Sequence, residues 1–398
     1  MSFPAKLSPP EGTRYILPPS ESMRRRLLDT LKELYDRWAY QSVDVPALEH
    51  YDPLHPVAGQ SFSLSDRNGD VLNLRSDFTT AIARMVRLHY ARALTEAVNP
   101  LPLRFQYSGK LWRTVIPDMA RTREFTQVGL ELINVSNARA DAEVIHLARE
   151  SLRAVGLPPR VEIGSPGLVF SLFKLAAIPK SEQDKLADAI DRKALSDVSS
   201  IVNALGVKEN FREAFLSLPD LYGGVDIIPE AKKALVWPQT LSILDNLEKV
   251  LAEFEDSSEL LIDLGMARRF DYYTGVSFRA YTPEFSQPLL GGGRYDHTLL
   301  PRAIGFAIGL ERLLSASNMP PVSEQALVLT LDDIPARALR LAGFKVERAL
   351  EEDEANMRAY ARARGMAYLL TWEGLEPLIP HPPHLEELSQ LVKLRGTS

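Results

Sequence analysis

The chain has 398 residues, 45% of them hydrophobic and 25% charged, as in a soluble globular protein of two or three domains. Cys is absent, which excludes disulfides, thiolate metal sites and Cys nucleophiles. No run of about eighteen apolar residues offers a bilayer span. The opening MSFPAKLSPPEGTRY lacks the apolar core of a secretion signal, so a cytoplasmic location is expected. A net charge of −6 weighs against a large polyanionic partner, because nucleic-acid binding leans on stripes of Lys and Arg.

In chain order, the three- and four-residue spacing of Met23, Leu27, Leu31, Leu34 and Trp38 predicts a helix from Ser22 to Trp38, with Ser20 as its N-cap. Ser42 to Ala47 reads as a strand. Phe62 to Leu64 and Val71 to Leu74 flank an Asn68-Gly69 pair and predict a hairpin. A helix follows over Asp77 to Ala91, then strands at Leu103 to Trp112 and Glu124 to Ile133 joined by a charged loop. Asn137 to Val155 reads as a helix and Arg160 to Ile163 as a strand.

From residue 168 to about 255 the composition turns to Ala, Leu, Lys, Asp and Glu, which predicts a mainly helical insertion broken at Leu218–Gly224. There the Gly223-Gly224 pair reads as a helix stop. Strands are expected at Leu260 to Asp263, Val276 to Tyr281 and Leu289 to Leu290, then a turn at Gly291 to Gly293 and a helix from Gly305 to Ala316. Ser317 to Ser323 reads as a linker. Beyond it, strands at Ala326 to Leu331, Phe344 to Ala349 and Ala367 to Thr371 alternate with helices at Pro335 to Leu341 and Asp353 to Arg364, as in a small α/β domain.

Side chains on a strand face one way at every second residue, so Gln127 and Glu131 project together. An amide beside a carboxylate suits an imidazole and an α-ammonium group. Tyr272, Tyr273 and Tyr295 offer hydroxyls and aromatic walls, and Arg113, Arg268 and Arg312 offer planar cations for a carboxylate or phosphate. Taken singly, each has a plainer reading, such as a solvated loop arginine or a half-buried strand end.

The order of four segments lifts that reading. EGTRYILPPS (Glu11 to Ser20), RFQYSGKLWRTVIPDMARTREFTQVGLELI (Arg104 to Ile133), MARRFDYYTGVSF (Met266 to Phe278) and GGGRYD with IGFAIGLERLL (Gly291 to Leu314) together resemble the signatures of histidyl-tRNA synthetases. The resemblance implies an α+β fold with a class II aminoacyl-tRNA synthetase-like antiparallel sheet flanked by helices. It implies a catalytic-like domain over 1–316 that contains the 168–255 insertion, and a reduced α/β domain over 324–398 similar to an anticodon-binding domain. It also implies histidine-binding roles for Asp77, Thr79, Arg113, Gln127, Glu131, Arg268, Tyr272, Tyr273 and Tyr295. Asp77 stands where synthetases hold the amino group with a glutamate. Arg121 and Arg312 match residues on the ATP side.

Departures cluster in the activation machinery. Val115 and Ile116 stand where the synthetases carry Glu and Arg, Ala120 and Thr122 replace Gly and Tyr, and Arg269 replaces Gly. The forms LRSDFT, REFTQVGLELI and LPDLYGG resemble the regulatory subunits of ATP phosphoribosyltransferase. That resemblance implies a non-catalytic chain that partners the short-form catalytic subunit, takes free histidine as effector, self-associates as a dimer, and uses no cofactor, no metal and no tRNA. A segment near Asp77 or the 113–123 loop is the expected sensor of occupancy. An authentic histidine-tRNA ligase and a stand-alone amino-acid sensor are the alternatives.

Overall fold

The computed structural model describes residues 8–53, 55, 58–95, 101–116, 122–267, 273–317, 327–331 and 333–393. The chain forms two compact units, Met1–Ile16 with Met23–Pro320, and Leu17–Ser22 with Pro321–Ser398.

Sixteen strands are described: β1 Gln41–Ser42, β2 Leu48–His50, β3 Ser63–Ser65, β4 Val71–Leu74, β5 Leu103–Trp112, β6 Glu124–Ile133, β7 Arg160–Gly164, β8 Tyr222–Gly223, β9 Leu260–Asp263, β10 Ser277–Thr282, β11 Phe285–Arg294, β12 Ala303–Gly309, β13 Val328–Thr330, β14 Val346–Arg348, β15 Tyr368–Thr371 and β16 Gly374–Pro377. Nine of them form one sheet in the order β1-β5-β6-β12-β11-β10-β7-β9-β8. Only the β1–β5 and β7–β9 pairs in it are parallel, so the sheet is mainly antiparallel, as expected. β2, β4 and β3 make a small sheet that contains the expected hairpin.

The central strands alternate as a two-faced sheet requires. Val128, Leu130 and Leu132 of β6 and Ile304, Phe306 and Ile308 of β12 enter one large core with helices Ser20–Arg37, Ala138–Ala154 and Pro238–Leu251. A second core on the other side gathers Phe78, Ile82 and Val86 of helix Phe78–His89 with Phe105, Tyr107 and Leu111 of β5. Glu131 and Gln127 lie on this second face of β6, and β12 brings Gly305 and Gly309 opposite them in register. Large side chains fill one face and small ones leave room on the other, which is how a sheet makes a floor for a cavity.

Several expectations are corrected. The first helix begins at Ser20, so Ser20 is its first residue and not its cap. The strand expected over Ser42 to Ala47 ends at Ser42. Gly291–Gly293 is not a turn: it lies inside β11, paired with β10 on one side and β12 on the other. Crowding explains Gly292 and Gly293, where a Cβ would come within 2.5 Å of the Phe278 ring and within 2.9 Å of the Tyr273 ring. The helix expected from Gly305 starts at Leu310, and Ala303–Gly309 is a strand. Gly223-Gly224 is no helix stop, because Tyr222–Gly223 pairs antiparallel with β9. The insertion is otherwise helical, with six helices between Pro166 and Leu251.

In the second unit, β13 pairs in parallel with β14 and β15, and β15 pairs antiparallel with β16. Neither β16 nor the helix at Leu385–Lys393 is among the expected elements. The expected linker lies mostly outside the described residues. No described helix is long and apolar enough to cross a membrane.

Candidate functional site

A cavity of ≈ 720 Å³ opens over the second face of the large sheet. That is within the range of about 300–1,000 Å³ usual for small-molecule sites. Its lining includes Asp77, Thr79, Arg113, Gln127, Glu131, Tyr273, Tyr295 and Arg312. The structure therefore brings eight of the sequence-derived residues to one place. Arg121, Arg268 and Tyr272 lie outside the described residues, as do Arg269 and Asp271.

Glu131 is fully buried in the floor. Its two oxygens accept separate hydroxyls, Oε2 from Tyr295 at 2.7 Å and Oε1 from Thr79 at 2.8 Å. The carboxyl fits because Gly305 stands opposite: a Cβ there would lie 1.9 Å from Oε2. Burial pushes the Glu131 pKa up to about 8, and nearby Asp77 adds to the rise against the pull of the two hydroxyls. Among the described residues, no cation offsets it.

Asp77 sits at the entrance of helix Phe78–His89 as its N-cap, where a carboxylate satisfies a backbone donor that the helix leaves open. Its Oδ2 accepts from Thr80 N at 2.8 Å and from Thr80 Oγ1 at 2.5 Å. Thr80 Oγ1 also lies 2.9 Å from His55 Nε2. With the hydroxyl proton committed to Asp77, the imidazole must donate, which assigns the Nε2–H tautomer. Burial lowers the His55 pKa, so this ring is neutral near pH 7. Sequence reasoning misses His55 and Thr80, since nothing local ties residue 55 to residue 80.

The remaining wall carries both signs of charge. Arg113 donates from Nε to Ser76 O at 2.9 Å and lies 5.5 Å from the Phe125 ring centroid. Glu311 accepts the Thr126 N–H with both oxygens, at 3.0 and 2.9 Å. Its neighbour Arg312 donates to Pro288 O at 3.2 Å. Arg279 reaches Asp191 Oδ1 at 3.1 Å, which ties the cavity wall to helix Lys180–Asp191 of the insertion. Val115 and Thr122 also line the cavity, so the loop bounding it presents an apolar and a small polar side chain there. Carboxylates and guanidiniums set in one cavity suit a zwitterion such as an amino acid.

Residues 12–313 match the family model for histidyl-tRNA synthetase. The chain is 44% identical to an ATP phosphoribosyltransferase regulatory subunit of Thermus thermophilus, over 92% of this chain and 98% of that one. The chain belongs to the ATP phosphoribosyltransferase regulatory subunit family, on a histidyl-tRNA synthetase fold. A regulatory subunit of Deinococcus radiodurans is 42% identical over 90% of this chain and 87% of its own length. Among solved structures, an ATP phosphoribosyltransferase regulatory subunit/histidyl-tRNA synthetase from Bacillus halodurans superposes with a TM-score of 0.78. It is 28% identical and covers 90% of this chain and 97% of its own.

Proposed function

We propose that this chain is the non-catalytic regulatory subunit of an ATP phosphoribosyltransferase, that it binds free histidine in the cavity, and that the occupied subunit inhibits a short catalytic subunit that the empty one activates. The carrying observation is the contrast within one cavity. The acidic pair of Asp77 and Glu131 is fully positioned by Thr80, Thr79 and Tyr295, while Val115 stands in the wall where a synthetase-like loop would present a carboxylate. Groups suited to holding an amino acid are in place, while the described part of the loop sets Val115 and Thr122 beside them. The relatives' names support the partner, and the domain limits at 1–316 and 324–398 and the dimeric core belong to the same proposal.

Regulation requires that histidine bind two states of the complex with different affinity. The segment carrying Asp77 is suited to sensing occupancy, because a ligand ammonium would compete with the helix cap for the same carboxylate.

The test is a pair of assays on the full chain. Histidine titrated by calorimetry is expected to bind, and ATP–pyrophosphate exchange with histidine is expected to be absent. Robust histidine-dependent exchange would identify a ligase and overturn the proposal. Failure to co-purify with, and to alter the rate of, a short phosphoribosyltransferase chain would remove the partner.

A further inference from the structure

Among the described residues, Glu131 is an acid without a cation. The groups that hold it, Thr79 and Tyr295, are neutral hydroxyls. The titratable groups facing it from the surrounding elements are acidic or phenolic. They are Asp77 at the helix cap, Tyr107 on β5 and Tyr40 ahead of β1, with Tyr273 beside Tyr107. β12 presents Gly305 and so no side chain. His55, one hydroxyl beyond Asp77, is kept neutral by burial. A carboxylate taken out of water with no countercharge keeps its proton instead. Among the described residues no cation meets this need, and a ligand can bring one.

Resting on the reading that histidine occupies this cavity, we propose that Glu131 and the bound imidazole ring hold one proton between them, so that occupancy responds to proton concentration as well as to histidine. The proton balance is definite. Near pH 7 the empty site brings one proton on Glu131, and the free ring, whose ordinary pKa is about 6.5, is mostly neutral. The complex also contains one, as carboxyl with imidazole or as carboxylate with imidazolium, so nothing is exchanged with solvent. Below the ring's own titration, protein and ligand bring two protons and one is released. Above the titration of Glu131 they bring none and one is taken up. Affinity therefore peaks near neutrality and falls on either side, approaching about tenfold per pH unit. Were Glu131 to meet the α-ammonium group instead, it would ionise against a fixed cation and expel its proton at pH 7.

The experiment is calorimetric titration of histidine into the full chain at pH 5.5, 7 and 8.5, each in two buffers of different ionisation heat, for the wild type and Glu131→Gln. The glutamine keeps the shape and an acceptor for the hydroxyls. The wild type is expected to release nearly one proton at pH 5.5, to exchange almost none at pH 7, and to take up most of one at pH 8.5. That last uptake is expected to be missing from Glu131→Gln, while the ligand's own amino group contributes equally to both proteins. Release of nearly one proton at pH 7, or no uptake by the wild type at pH 8.5, overturns the shared proton and leaves histidine binding standing. Absence of histidine binding by the wild type at all three pH values overturns the functional proposal itself.

Discussion

Two buried carboxylates, one on each face of the same sheet, show how differently a fold can treat the same chemical group. Asp141, on helix Ala138–Ala154, meets Arg294 Nε at 2.7 Å. Arg294 also donates to Val135 O at 2.9 Å and to Asp296 at 2.8 Å. Asp296 in turn accepts from Ala303 N at 2.8 Å and from Ser136 at 2.8 Å. The countercharge is supplied within the protein, by ion pairs of Arg294 with Asp141 and Asp296. Glu131 has the hydrogen bonds and, among the described residues, lacks the cation. The first arrangement has its countercharge in the protein; under the proposal above, the second receives it from the ligand.

Four measurements put that contrast at risk. Arg294→Met strands Asp141, and removing one member of a buried pair costs about 3–5 kcal/mol. Urea unfolding should show a loss of that size, and saturating histidine should leave the difference between variant and wild type unchanged. A loss below about 1 kcal/mol would place Asp141 with Glu131 as an acid the fold can leave unpaired.

Gly305→Ala would drive a methyl to 1.9 Å from Glu131 Oε2 and 2.5 Å from Leu130 O. Overpacking of this kind costs about 1–3 kcal/mol, and histidine affinity should fall at least tenfold as the carboxyl is displaced. Wild-type affinity in this variant would show that Glu131 does not touch the ligand.

The pH dependence has a fixed sign. Glu131 titrates at about 8 in the folded chain against an ordinary 4.5, so between those values the folded state binds more protons than the unfolded one. Without ligand, stability should fall as pH rises through that window, by at most about 1.4 kcal/mol per pH unit from this residue. Glu131→Gln should flatten the slope, and an unchanged slope would show that the floor carboxyl ionises freely. The smallest effect is expected at Gly309. It lies opposite Gln127 on the same strand as Gly305, and a Cβ there meets nothing within 4 Å. Gly309→Ala should stay within about 0.5 kcal/mol of the wild type.

Much of this architecture is legible in the sequence, and the reasons differ by element. β5 and β6 run over the residues that apolar patterning assigns to them, and the shared face of Gln127 and Glu131 follows from strand periodicity alone. The Gly291–Gly293 run misleads because glycine is a local turn signal, whereas here Gly292 and Gly293 relieve crowding by Tyr273, Phe278 and Phe306 from other parts of the chain. The apolar stretch after Ala303 fits a buried strand as well as a helix, and only its partners β6 and β11 decide. The link from His55 through Thr80 to Asp77 joins residues whose relation exists only in three dimensions. That no described cation meets Glu131 is likewise invisible in a sequence that contains 46 Lys and Arg residues.

The double acceptance of one backbone N–H by Glu311 has a consequence for the whole site. It pins Thr126, near the start of β6, to the helix that follows β12. A slip of β6 by a single residue would exchange its two faces. Val128, Leu130 and Leu132 would then line the cavity, and Glu131 and Gln127 would be thrust into the hydrocarbon of the main core. Whether this floor is a binding surface or an oily wall is thus a question of odd and even, and a glutamate outside the strand keeps the count.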